Sequence, residues 1–238
     1  MLDTTDRVAV ISGANRGIGL AIARQLASEG YRLSLGARDI EGLKTVVAEL
    51  PIDPDRLLLN HFDATIPETH TRWISRTIEA FGAVDVLVNN AGVLAETGVE
   101  NYRPEELDKM WDVNVKAPIH LTHLTLPHLK ESGSGRVLNV ASMSGKRVAG
   151  DFIAGYAMTK HAVMALSGAT RMAGWDDGVR VTSLCPGLVA TDMTGVFDFP
   201  PDEMIQTEDL AELAALVLRL PNTAAVNELL INPTLEPT

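Results

Sequence analysis

The feature that narrows the fold most is an alternation. Short runs that are almost wholly apolar ("RVAVIS", "RLSLGA", "LLLNHFDA", "VDVLVNNAG", "GRVLNVAS", "VRVTSLCPG", "VNELLIN") are separated by segments of helical pattern, among them "GLAIARQLASEG", "DIEGLKTVVAEL" and "PETHTRWISRTIEAFG". A strand with one wet face reads apolar–polar–apolar. These runs do not, so both of their faces are covered. Helix-length connections between such strands give right-handed strand–helix–strand units and a parallel sheet. The expected fold is therefore α/β, a doubly wound parallel sheet of about seven strands flanked by helices in a single domain over 1–238. The long segment "PEELDKMWDVNVKAPIHLTHLTLPHLKESG" reads as helix within that scheme. The stretch 192–204, "DMTGVFDFPPDEM", breaks the rhythm and reads as a loop on the substrate side of a pocket.

The first strand runs straight into "SGANRGIGLAIA". Gly13, Gly17 and Gly19 follow a G-x-x-x-G-x-G spacing, with Asn15, Arg16 and Ile18 between them. No Gly-Lys-Ser/Thr follows, so this is not a Walker A loop. It has the physics of a phosphate cradle all the same. Missing side chains let the chain turn sharply and let phosphate oxygens approach the backbone. The next helix then offers free N–H groups and its positive end. After the first strand of a doubly wound pattern, this is the dinucleotide-binding turn of a Rossmann fold.

The second strand ends in "RLSLGARDIEG". An acidic residue there would bind the ribose hydroxyls of NAD. Ala37 and Arg38 hold that position instead, and Asp39 comes late, where it suits a helix N-cap. Arg16 and Arg38 together can clamp a 2′-phosphate. NADP(H) is expected over NAD(H). Asp63, after the third strand, can accept from the adenine amino group. Asn89, Asn90, Ala91 and Gly92, after the fourth, are expected to face the crevice beyond the strand ends.

Other classes are argued against. The formal net charge of −11 does not suit nucleic acid, which needs clustered cations. The single cysteine, Cys185, allows no intramolecular disulfide and reads as a small buried residue. His120, His123 and His128 lie on an amphipathic stretch and read as packing or surface groups, so no metal is expected. The beginning, "MLDTTDRVAVIS", shows no signal-peptide pattern, and no apolar run has membrane-span length, so a cytoplasmic chain without a membrane partner is expected.

In "AGYAMTKHAVMALS", Tyr156 and Lys160 stand one helical turn apart and share a face. With "GANRGIG", "NNAG", Asn114 in "NVK" and Ser142 in "NVASMSG", the chain resembles the short-chain dehydrogenase/reductase family over almost its full length. The resemblance implies roles. Tyr156 is the acid/base, and Lys160 lowers its pKa and binds the nicotinamide ribose. Ser142 holds the substrate oxygen, and Asn114 supports a water in a proton relay. Pro186, Gly187 and Thr191 contact the nicotinamide end. As hydride moves between C4 and a carbonyl carbon, Ser142 and Tyr156 meet the charge on the oxygen. The family's habit implies a homodimer or homotetramer. This chain lacks the Gly-Gly pair with which many members end, and it has Ala173 where many carry a glutamate.

The substrate is expected against Val93, Leu94, Ser142, Met143, Phe152, Leu188, Met193 and Phe197. That apolar lining suits a small carbonyl compound or its alcohol, with Lys146, Arg147 and Asp151 solvated at the rim. Reduction of a 3-oxoacyl thioester, NAD-dependent alcohol oxidation, and a non-catalytic NADP-binding sensor are the alternatives.

Overall fold

The apolar runs become strands because helices cover both of their faces. The structure is a computed structural model and describes residues 1–195 and 199–235. One parallel sheet has the order β3–β2–β1–β4–β5–β6–β7. Its strands are β1 Val8–Ser12, β2 Arg32–Ala37, β3 Leu57–His61, β4 Val86–Asn89, β5 Arg136–Val140, β6 Arg180–Pro186 and β7 Glu228–Ile231. The main helices are α1 Gly17–Ser28, α2 Ile40–Val47, α3 Pro67–Phe81, α4 Pro104–Trp111, α5 Ala117–Glu131, α6 Ala154–Gly174 and α7 Thr207–Leu218. Side chains alternate across the sheet. Ala9 and Ile11 pack with α1, α2 and α7 on one face. Val10 packs with α3 and α5 on the other. Among the described residues, no helix is long and apolar enough to cross a membrane.

Asp39 caps α2, its carboxylate accepting from Gly42 N at 2.9 Å. The segment from Pro104 is not one regular helix. A π-helical turn, Asp112–Lys116, separates α4 from α5, and Ala117 N–H bonds back to Asp112 O. Such turns recur at functional sites, because the extra residue rotates side chains out of register. Here it accompanies the burial of Val113 and Asn114.

The face that carries α5 and α6 also holds a row of buried polar groups. Asn89 Nδ2 donates to Asn139 Oδ1 at 2.8 Å and to Thr122 Oγ1 at 3.2 Å. Asn139 Nδ2 donates to Ser167 Oγ at 2.8 Å, and Ser183 Oγ donates to the same oxygen at 2.8 Å. Asn89 was expected at the crevice. It is instead buried in this row, because its side chain leaves the face of the sheet that α5 covers.

His120 is more than a packing group. His70, 1% exposed, sits 3.0 Å from it, Nδ1 to Nδ1, and 2.9 Å from Asp63 O through Nε2. A carbonyl only accepts, so His70 Nε2 carries the proton and Nδ1 accepts from His120. Burial holds His70 below its ordinary 6.5, the proximity of His120 adds to this, and the bond to Asp63 O opposes it. The unfolded chain therefore binds this proton first as pH falls. The contribution is complete above about 6.5 and declines below it. We expect the melting temperature to drop as pH falls from 7 to 5, and to drop less steeply in His70→Asn. Calorimetry across that range checks this, and equal slopes for the two proteins would count against it.

Candidate active site

Connections from β1 run to one side through β2 and β3, then return to β4 and run to the other. Beyond the carboxyl ends of β1 and β4 the helices diverge, and a cleft of about 440 Å³ opens there. Gly13, Asn15, Arg16, Gly17 and Ile18 line its first part. Gly13 has φ of 66°, which favours glycine. Gly19 does not line the cleft. A Cβ there would lie 2.5 Å from Gly13 O and would also strike the Asn90 carboxamide, so this glycine lets α1 begin tight against the loop. Asn90 Nδ2 donates to Ser12 O at 2.9 Å and Gly13 O at 3.0 Å, and Ser12 Oγ accepts from Asn90 N and Ala91 N. The first turn of α1 contains no acidic residue, so its positive end stays available to an anion.

Next along the cleft come Ala37, Arg38 and Asp63, and then Asn90, Ala91 and Gly92. Asp63 Oδ1 accepts from Thr65 N at 2.9 Å and Thr65 Oγ1 at 2.7 Å. Partial burial pushes its pKa up, but those two bonds and the Arg38 charge outweigh this and hold it below the ordinary value. Lys109 and Val113 also line the cleft, although the sequence reading missed them. They stand four residues apart just ahead of Asn114, a spacing that places them on one side of the chain.

Ser142, Tyr156 and Lys160 meet further along the cleft, which Pro186, Gly187 and Thr191 also line. Tyr156 is 8% exposed and Lys160 5%. Ser142 Oγ accepts from Ser144 N at 3.0 Å and lies close enough to Tyr156 to pull its pKa down. Lys160 Nζ donates to Val140 O at 2.8 Å and lies 5.5 Å from the Tyr156 ring centre. Burial pushes the Tyr156 phenol up to about 12, against the pull of Ser142. Burial likewise pushes the Lys160 ammonium down to about 8, with a small opposing contribution from Cys185. Desolvation dominates both groups.

Asn114 is buried, and its side chain is fully engaged. Its Oδ1 accepts from Val93 N at 2.9 Å, and its Nδ2 donates to Val93 O at 2.9 Å and Thr159 Oγ1 at 3.0 Å. The carboxamide clamps the backbone after Gly92. Of the expected substrate residues, Val93, Ser142 and Met193 line the cleft. Leu94 packs beside Met110 and Ile153, and Met143 beside Val163 and Cys185. Phe152 is half-exposed, while Leu188 contributes its carbonyl to Ile205 N. These four fall outside the lining, Leu94 and Met143 because they pack into small hydrophobic clusters beside it. Phe197 lies outside the described residues, and so does part of the 192–204 stretch. At the rim, Lys146 pairs with Glu228 at 2.8 Å, and Asp151 accepts from Val99 N and Glu100 N. Cys185 is fully buried, as expected. Among the described residues no three His, Cys, Asp or Glu gather as metal ligands.

The model of the short chain dehydrogenase family matches residues 7–198. The chain belongs to this family. An agropine synthesis reductase of Rhizobium rhizogenes is 42% identical over 92% of this chain and 50% of its own length. The chain thus spans about half the length of that relative. An uncharacterized oxidoreductase of Staphylococcus saprophyticus is 32% identical over 98% of this chain and 100% of its own. Among solved structures, an alcohol dehydrogenase from Thermococcus sibiricus, complexed with 5-hydroxy-NADP, has a TM-score of 0.85 and 34% identity, covering 94% of this chain and 95% of its own. A 3-ketoacyl-(acyl-carrier-protein) reductase from Brucella melitensis, complexed with NADH, has a TM-score of 0.87 and 29% identity, covering 97% of this chain and 98% of its own.

The residues of this family member fit a nicotinamide dinucleotide. Gly13 and Gly17 put no side chain into the cleft, and Arg16 and Arg38 line it as cations. Holding Lys160 buried comes at the expense of stability. Its folded value of about 8 lies below the ordinary 10.5, so the unfolded chain binds the proton more tightly. The loss is complete below about 8 and vanishes above 10.5. We expect Lys160→Met to raise the melting temperature by a few degrees at pH 7, with the gap closing towards pH 10. A melt no higher than wild type at pH 7 would contradict this.

Proposed function

We propose that the protein is an NADP(H)-dependent oxidoreductase that transfers a hydride between nicotinamide and a small, mostly apolar carbonyl compound or its alcohol. One observation carries the reading. Ser142, Tyr156 and Lys160 converge in a cleft that also holds the glycine-rich loop with Arg16, and Arg38 from the end of β2. When bound, the cofactor supplies or accepts the hydride. Everything else falls to the chain. Ser142 and Tyr156 present two hydroxyls side by side to a carbonyl oxygen, as donors where negative charge develops. A phenol held near 12 keeps its proton at neutral pH and can give it up as that charge forms. Lys160 lies close enough to stabilise the phenolate left behind, and its bond to Val140 O fixes where its charge sits. Val93 and Met193 give the reacting end apolar walls, which supports a small apolar substrate. The reductase name carried by a relative at 42% identity supports the reductive direction.

Relatives bind either nicotinamide, so the cofactor reading rests on this chain. Ala37 puts no carboxylate at the end of β2, and Asp39 is engaged as the cap of α2. Arg38 faces the cleft in their place. A charge-assisted guanidinium–phosphate contact supports about ten- to hundredfold in affinity. Arg38→Asp is therefore expected to weaken NADPH binding by that factor and to change NADH by less than about threefold. Equal losses in a fluorescence titration would show that Arg38 does not read the phosphate. Tyr156→Phe is expected to cut turnover at least about a hundredfold with cofactor affinity intact. Near-wild-type NADPH oxidation with a panel of small ketones and aldehydes would overturn the role of Tyr156.

A further inference from the structure

We infer that Asp192 sets the cofactor selectivity of the cleft, by holding Arg16 until a ligand phosphate displaces it. The inference rests on the NADP(H) reading above. Arg16 Nη1 lies 2.8 Å from Asp192 Oδ2, joining the glycine-rich loop to the segment after β6. That segment is held in place. Val189 and Ile205 form a parallel bridge, with Ala190 N donating to Ile205 O at 2.9 Å and Ile205 N to Leu188 O at 3.0 Å. The two loops also meet through Gly17, where a Cβ would lie 3.3 Å from Thr191 Cγ2. Asp192 is therefore presented to Arg16 by a fixed backbone. Arg38 differs, making no ion pair among the described residues.

The partners in this pair are 69% and 76% exposed. Such pairs are weak and exchangeable, worth about a two- to fivefold factor in an equilibrium. A ribose 2′-hydroxyl is neutral and cannot take a guanidinium from a carboxylate. A 2′-phosphate is dianionic and accepts in bidentate geometry, so it can. A ligand with the phosphate must break the Arg16–Asp192 pair and binds more weakly by that factor. A ligand without it leaves the pair closed. Asp192 thus acts as a brake on phosphate-bearing dinucleotides alone.

Calorimetric titration with 2′,5′-ADP and 5′-ADP tests this without turnover, using wild type, Asp192→Asn, Arg16→Gln and the double variant. We expect wild type to prefer 2′,5′-ADP. Asp192→Asn should tighten 2′,5′-ADP about two- to fivefold, leave 5′-ADP unchanged, and have no effect once Arg16 is Gln. Three results would overturn the inference. They are unchanged or weaker 2′,5′-ADP binding in Asp192→Asn, equal gains for both nucleotides, and a gain that survives in Arg16→Gln. The first two would mark Asp192 as a strap across the cleft or a source of general repulsion. Wild type binding both nucleotides alike would overturn the NADP(H) reading itself, and this inference with it.

Discussion

The ends of β1 and β4 are laced together by two side chains, and the cleft depends on that lacing. Ser12 Oγ accepts two backbone N–H groups from the start of the next loop, while the Asn90 carboxamide donates to two carbonyls of the glycine-rich turn. Where helices diverge at a switch point, backbone groups lose the neighbours that would satisfy them. Here they are satisfied by side chains, so the turn stays open towards the cleft. The first two N–H groups of the turn are tied to β2, Gly13 N donating to Gly36 O at 2.8 Å and Ala14 N at 3.3 Å. Asn90 lines the cleft, yet its amide works on the protein.

A second set of bonds fixes the chemical end. The Asn89–Asn139–Ser167–Ser183 row ties the middle of α6 to β4, β5 and β6. Val140 follows Asn139 directly, and its carbonyl holds Lys160. Sliding α6 along the sheet would break hydrogen bonds in a dry layer, where an unmade bond is costly. Tyr156 and Lys160 are therefore carried on an element with little freedom to move. That rigidity is what allows two groups to be desolvated against their preference and still keep a defined geometry.

Much of this is legible in the sequence, and the reason is local. Parallel strands buried on both faces announce themselves as apolar runs, and the four-residue spacing of Tyr156 and Lys160 survives any detail of helix packing. What is not legible depends on partners distant in the chain. Asn114 is in the right place, but its carboxamide is claimed by Val93 across a π-helical turn that no local pattern signals. Met143 and Leu94 are apolar residues on loops beside the site. Composition cannot tell an apolar side chain that lines a pocket from one that sinks into the nearest helix. Burial of the Tyr156–Lys160 pair is also a property of the whole packing, and it is what pushes the phenol up.

The charge of the chain and the charge of the cleft point opposite ways, and distance settles which matters. The formal net charge is −11, which alone would repel a dinucleotide bearing several phosphate charges. At physiological ionic strength the screening length is about 8 Å, so charges on the outer helices are largely screened from the cleft. Within it lie Arg16, Arg38, Lys109 and Lys160 against Asp63 and Asp192. Asp63 Oδ1 is taken up by Thr65, and Asp192 is neutralised by Arg16. A phosphate that takes Arg16 from Asp192 shares a cleft with Arg38, Lys109 and the start of α1 as well. An acidic surface beyond the screening length leaves that site's field largely unchanged.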